Sequence, residues 1–239
     1  MGFMKNLVMK QLTGKILKQV APYFAGNTIN IKVFVDKEIT TDYSNIITDA
    51  MKPFQSIIKN IELVGFIVPK KCWNERRRQH NILDLITVKR EGLELYIIKR
   101  DIFASHLNWA YGITSPVNGV CIVSIARFSD SETTQALHMT FLDEETRKQL
   151  TLEIQHEIGH LLGLIDHPEG QHVGNCTMNQ TMHMENPEET NIRVGDSGQH
   201  ISTIFCPACS AWLEQFADAL KNRNLQSYAE RVAKMIVGE

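Results

Sequence analysis

No apolar run in the chain approaches the roughly 18 residues of a membrane-spanning helix. Nor is there a charge excess of either sign: the net charge of −2 comes from acidic and basic residues scattered along the sequence. That balance leaves no basic footprint for nucleic acid or for an anionic membrane. The one basic cluster, Arg76, Arg77 and Arg78, reads as a solvated helix face, with a substrate or partner contact as the alternative. Five cysteines in 239 residues is an odd number in a chain too long to be a disulfide-stapled mini-domain. A signal peptide is also missing near Met1, because Lys5, Lys10, Lys15 and Lys18 break the apolar residues. Val8, Leu12, Ile16 and Val20 instead recur at helical steps, as in an amphipathic helix packed on the domain. These absences predict a cytoplasmic protein with neither a nucleic-acid nor a membrane partner, and they leave oligomeric state open.

Against that plain background, residues 156 to 167 run His-Glu-Ile-Gly-His-Leu-Leu-Gly-Leu-Ile-Asp-His. Residues four apart on an α-helix share one face, so His156 and His160 can bind one metal ion from adjacent turns. Glu157 lies about 100° round the helix from His156, off the ligand face but within reach of a metal-held water, where a general base belongs. Gly163 tolerates the positive φ with which a helix ends in a sharp turn. Read as an HExxHxxGxxH zinc string, the segment makes His156, His160 and His167 the ligands of a catalytic zinc. Three protein ligands leave one coordination position for water.

The rest of the chain is read by periodicity. Residues 29 to 35 alternate as a strand; residues 43 to 60 carry helical spacing that Pro53 can kink or shorten. Ile61 to Val68, Leu93 to Ile98 and Gly119 to Arg127 read as further strands, with a short helix around Ile82 to Leu85. Asp143 can cap the helix that carries Leu150, Ile154, Ile158 and the histidines. Past Gly163 the periodicity weakens until Leu213, Phe216, Ala217 and Leu220, then Leu225, Tyr228, Ala229, Val232 and Ile236, take helical spacing. The expectation is an α/β (α+β) fold with helices covering one sheet. It divides into an N-terminal lobe, 1–163, with the sheet and the histidine helix, and a small irregular and helical C-terminal lobe, 164–239.

The histidine string, followed by Cys176-Thr177-Met178 and by Phe205-Cys206-Pro207-Ala208-Cys209, resembles the archaemetzincins, a family of metzincin-clan zinc metallopeptidases. Asn108 to Gly112, followed by Val120 to Phe128, is similar to the family's segment leading into its upper-rim strand. The resemblance covers roughly residues 90 to 215. It implies a two-lobed zincin with a mixed twisted sheet and an antiparallel edge strand. In that frame Met178 forms the methionine turn beneath the zinc, and residues 119 to 127 form the edge strand along which a peptide pairs.

The family also implies a second zinc on four cysteines. Here Pro168 follows His167 where the family has a cysteine, and only Cys176, Cys206 and Cys209 remain. A structural zinc needs one more ligand, for which His172 is chosen, with His183, His200 and Asp196 behind it. A Cys-x-x-Cys redox pair or simply buried thiols are the alternatives. Cys121 reads as a buried small side chain; Cys72 carries no assignment.

The functional expectation is a zinc metalloendopeptidase or an aminopeptidase-like metzincin acting on a peptide or protein, with Glu157 as base. It needs one catalytic zinc and a second, structural one. The alternatives are a zinc-bound peptide-binding or regulatory protein with little turnover, and a hydrolase of a non-peptide amide.

Overall fold

The computed structural model describes residues 2–26, 28–39, 42–104, 107–128, 144–167, 176–179 and 205–237. Its centre is a five-stranded sheet in the order β2-β1-β5-β9-β8. The strands are β1 (Ile29–Asp36), β2 (Ile58–Phe66), β5 (Leu93–Ile98), β9 (Val120–Ser124) and β8 (Gly112–Ser115). The first four run parallel, and β8 returns antiparallel to β9. Parallel strands covered on both faces bury nearly every residue. Accordingly β9 is buried throughout and β5 is buried except at Glu94. A second, four-stranded sheet joins β3 (Trp73–Asn74), β4 (Gln79–Asn81), β6 (Ile102–Ala104) and β7 (Leu107–Ala110). It was not anticipated, since strands of two to four residues are too short for a periodic signal.

Helices complete the main core: α1 (Gly2–Val20), α2 (Ser44–Met51), α4 (Glu144–Leu161), α5 (Pro207–Lys221) and α6 (Gln226–Val237), with the single turn α3 (Leu83–Ile86) on the other face of the sheet. The helical spacing read over residues 43 to 60 stops early, because Pro53 stands in a 3-10 turn at Lys52–Phe54 and β2 begins at Ile58. The arginine cluster lies in the turn between β3 and β4, not on a helix; Arg78 has φ +53° and Arg77 stacks on Phe103. Among the described residues no helix is long and apolar enough to cross a membrane.

One expectation about the sheet is corrected. Residues 119 to 127 do not form its edge, because β9 lies between β5 and β8. Gly119, at φ +70°, ends the turn through Pro116–Asn118 that folds β8 back along the outside of β9. The outer strand is therefore Gly112–Ser115.

A single buried cluster runs across Gly163, joining Ile16, Val20 and Phe24 to Phe216, Leu220 and Tyr228 with edge-on aromatic contacts. The C-terminal helices also finish the histidine helix. At its end Leu164 N–H donates to the Gly159 carbonyl and Gly163 N–H to that of His160, a Schellman motif with Gly163 at φ +84°. The next two carbonyls take hydrogen bonds from the Tyr228 hydroxyl (on Leu161) and Trp212 Nε1 (on Leu162). Every backbone acceptor that the helix end would leave open is thus satisfied.

Gly163→Ala would place a Cβ 2.6 Å from the Tyr228 ring in a left-handed backbone conformation. Backbone strain of about 1–2 kcal/mol and overpacking of about 1–3 kcal/mol both oppose it. The expected thermal melt of this variant is lower by at least roughly 4 °C; an unchanged Tm would show that the turn is not under this constraint.

Candidate metal centres

Two donor clusters form where the end of α4 meets the segments 164–167 and 176–179. The first holds His156, His160 and Asp166; the second holds His167, Cys176, Cys206 and Cys209.

In the first cluster, His156 and His160 stand one turn apart, as their spacing dictates. Their Nδ1–H groups donate to backbone carbonyls, His156 to Thr177 at 2.8 Å and His160 to Leu164 at 3.0 Å. Fixing Nδ1 in this way turns both Nε2 atoms toward a common point, the usual device for orienting metal-binding imidazoles. The two Nε2 atoms are 3.0 Å apart, and Asp166 Oδ1 lies 3.5 Å from one and 3.3 Å from the other. Donors about 2.0–2.2 Å from a tetrahedral zinc stand roughly 3.4 Å from each other. The trio fits that ion.

This arrangement corrects the third ligand. His167 is eleven residues beyond His156 and Asp166 is ten, and the pattern requires ten. In the extended segment after Gly163, adjacent side chains point to opposite sides. Asp166 therefore faces the histidines and His167 faces away. A carboxylate oxygen is an ordinary zinc donor, so an exact count of the offset would have found it.

Burial holds the His156 imidazole below its ordinary range. Burial also opposes charge on His160, but its hydrogen bond to Asp166 and the charge of Glu157 outweigh it and push that imidazole up to about 9. A proton held on that imidazole lies between the three donors and competes with a cation for the same point. Metal uptake must displace it. Calorimetry at pH 7 in buffers of different ionisation enthalpy should detect proton release at this centre, and apparent affinity should rise from pH 7 to 9. Uptake with no proton release would contradict the arrangement.

Glu157 points off the donor face toward β8. Thr114 Oγ1 donates to its carboxylate, and a Cβ at Gly112 would lie 2.5 Å from its Oε1 and Cγ. Gly112 stands in the segment that carries the resemblance, but neither it nor Thr114 could be tied to Glu157 beforehand, because both lie far away in sequence. Gly112→Ala is expected to displace Glu157 with little change in metal content, which paired activity and metal assays would reveal. Full activity in that variant would mean that the close approach does not matter. One turn before Glu157, Glu153 is buried, and burial followed by the nearby Glu157 charge raises its carboxyl well above the usual range. Met178 is fully buried, and its sulfur abuts the open face of Gly159 beneath α4.

In the second cluster, His167 Nε2 lies 3.3 Å from Cys176 Sγ and 3.5 Å from both Cys206 Sγ and Cys209 Sγ, with Cys176 and Cys209 Sγ 3.8 Å apart. A tetrahedral zinc with Zn–S about 2.3 Å and Zn–N about 2.0–2.1 Å puts sulfurs about 3.8 Å apart and sulfur and nitrogen about 3.5 Å apart. These four separations match edges of that tetrahedron. The hydrogen bond shared with Cys209, then that from the Cys206 N–H, hold the Cys176 thiol well below its ordinary range against the opposing effect of burial. Among the described residues the nitrogen donor that joins these sulfurs is His167, where the sequence alone pointed to His172. His172, His183, Asp196, His200 and Asp143 lie outside the described residues. Cys121 is buried as expected, and so is Cys72.

No family model matches the chain. An archaemetzincin of Archaeoglobus fulgidus is 28% identical over 98 residues, 41% of this chain and 55% of its own length. The chain thus matches about half the length of that curated relative. The crystal structure of archaemetzincin from Methanopyrus kandleri is similar with a TM-score of 0.56 at 19% identity, covering 81% of this chain and 97% of that one. A zinc-dependent peptidase from Methanocorpusculum labreanum gives a TM-score of 0.50 at 15% identity, over 77% and 99%. At these identities the solved structures establish the α/β fold alone. By sequence over those 98 residues the chain is similar to an archaemetzincin, and by fold to the two solved structures.

Proposed function

We propose that the chain is a zinc-dependent metallopeptidase whose reaction centre is formed by His156, His160 and Asp166, with Glu157 as the base. The observation that carries this reading is the convergence of three donors within 3.5 Å of one another beside a carboxylate that is not among them. Bound there, zinc supplies a Lewis acid for the scissile carbonyl and lowers the pKa of a coordinated water.

The chain's own groups do the rest. Thr177 and Leu164 carbonyls keep the imidazoles in the tautomer that leaves Nε2 available. Glu157 accepts the proton of the attacking water and passes it to the leaving amine. Thr114 fixes the carboxylate while it waits, and the missing side chain of Gly112 makes room for it. Among the described residues β8 has a strand partner only on its β9 side. An extended peptide can add to its free edge by backbone hydrogen bonds, which bring a scissile bond past Glu157. His167, Cys176, Cys206 and Cys209 would hold a second, structural zinc, since four protein ligands leave no position for water.

A peptidase has use for a base beside the metal, whereas a protein that only binds peptides has none. The test is metal content together with cleavage of a peptide library. Two zinc ions per chain and metal-dependent cleavage are expected. Stoichiometric zinc with no cleavage of any peptide would favour the binding-protein reading.

A further inference from the structure

The two clusters share their backbone. Asp166 and His167 are consecutive, yet one serves the histidine cluster and the other the cysteine cluster. Cys176 belongs to the cysteine cluster, while the next residue, Thr177, supplies the carbonyl that orients His156 at 2.8 Å. Met178 in turn accepts the His167 N–H at 2.8 Å and lays its sulfur against Gly159 between the two zinc-facing histidines of α4. A β-bridge pairs His167 with Asn179. Within 164–167 and 176–179, the groups that shape the first centre are thus neighbours in sequence of ligands of the second.

These two segments are short and irregular, and the buried apolar side chains they give to the core, besides the cluster's own Cys176, are Leu164 and Met178. Ordering such backbone opposes folding, and a metal whose binding energy is realised only when its ligands meet offsets that cost. The histidines of α4, by contrast, sit on a helix that is already packed.

Resting on the reading that both clusters bind metal, we propose that the Cys176–Cys206–Cys209–His167 centre assembles the other one. Its occupancy places Asp166 and the Thr177 carbonyl, so that His167 and Cys176 are positioning residues for the reaction centre. Metal therefore fills the cysteine centre first. Emptying that centre weakens the histidine centre, whereas removing Asp166 leaves the first filling step as it was.

Cobalt(II) titration of the metal-stripped full chain tests the order directly. Thiolate coordination gives a near-ultraviolet charge-transfer band that a two-histidine, one-carboxylate site lacks. In the native chain the band is expected to saturate with the first equivalent, and the second should add only visible absorption. In Cys206→Ser/Cys209→Ser the band disappears, and the remaining centre should bind Co(II) at least about 10–100-fold more weakly, the usual loss when an orienting neighbour goes. Asp166→Ala should bind one equivalent with the native band and the native first-step affinity.

Growth of visible absorption before the thiolate band in the native chain would overturn the proposal. So would native affinity at the histidine centre in the double serine variant. If that variant fails to fold by circular dichroism, the filling order of the native chain decides alone. A native chain that binds no Co(II) at all would instead remove the two-centre reading itself.

Discussion

Glu157→Gln is expected to keep both metals and the native melting temperature while kcat falls by about 10²–10⁴-fold, the range typical for a lost acid–base group. Glutamine has the same shape, so it can still accept the Thr114 hydrogen bond and sit in the space beside Gly112. What it cannot do is take a proton from water at neutral pH. The effect should therefore fall on kcat, with KM little changed, because the substitution leaves the outer edge of β8 as it is. Metal content is the control. A drop in zinc would assign Glu157 to the ligands, and native turnover would place the base elsewhere.

The second large effect separates the two clusters. Asp166→Ala should reduce zinc from two ions per chain to one and abolish activity, with the remaining ion showing thiolate ligation. His160→Ala should do the same, since His160 Nε2 faces His156 and Asp166. His167→Ala should strip the thiolate centre, where its Nε2 lies within 3.5 Å of all three sulfurs. It should also lower the melting temperature, because a structural metal contributes folding energy outright. Metal analysis by mass spectrometry and a thermal melt read all three variants. A His167→Ala protein that keeps its thiolate-bound ion and loses the other would restore the HExxHxxGxxH reading and refute the exchange of donors described above.

Much of this protein was legible in its sequence because it depends on local periodicity. The four-residue step of His156 and His160, the position of Glu157 round the helix and the positive φ of Gly163 are properties of one helix and its end. Leu93–Ile98 and the helices at Pro207–Lys221 and Gln226–Val237 follow equally from apolar spacing. The presence of metal-binding donors was also written there, in residue types that seldom cluster without reason. Which donor serves which centre was not. Asp166 and His167 are neighbours whose side chains diverge, and only the crossing of their segment with Cys176–Asn179 decides that one meets the histidines and the other the cysteines. The outer strand was hidden for the same reason: whether β9 is an edge depends on where the hairpin at Gly119 sends β8, not on β9's own apolar run. Gly112, Thr114, Trp212 and Tyr228 are the plainest cases, since each acts on α4 from 40 or more residues away. Local sequence sets which elements form and which chemistry they carry. Contacts between distant segments, which have no signature in either segment alone, set the geometry in which that chemistry meets.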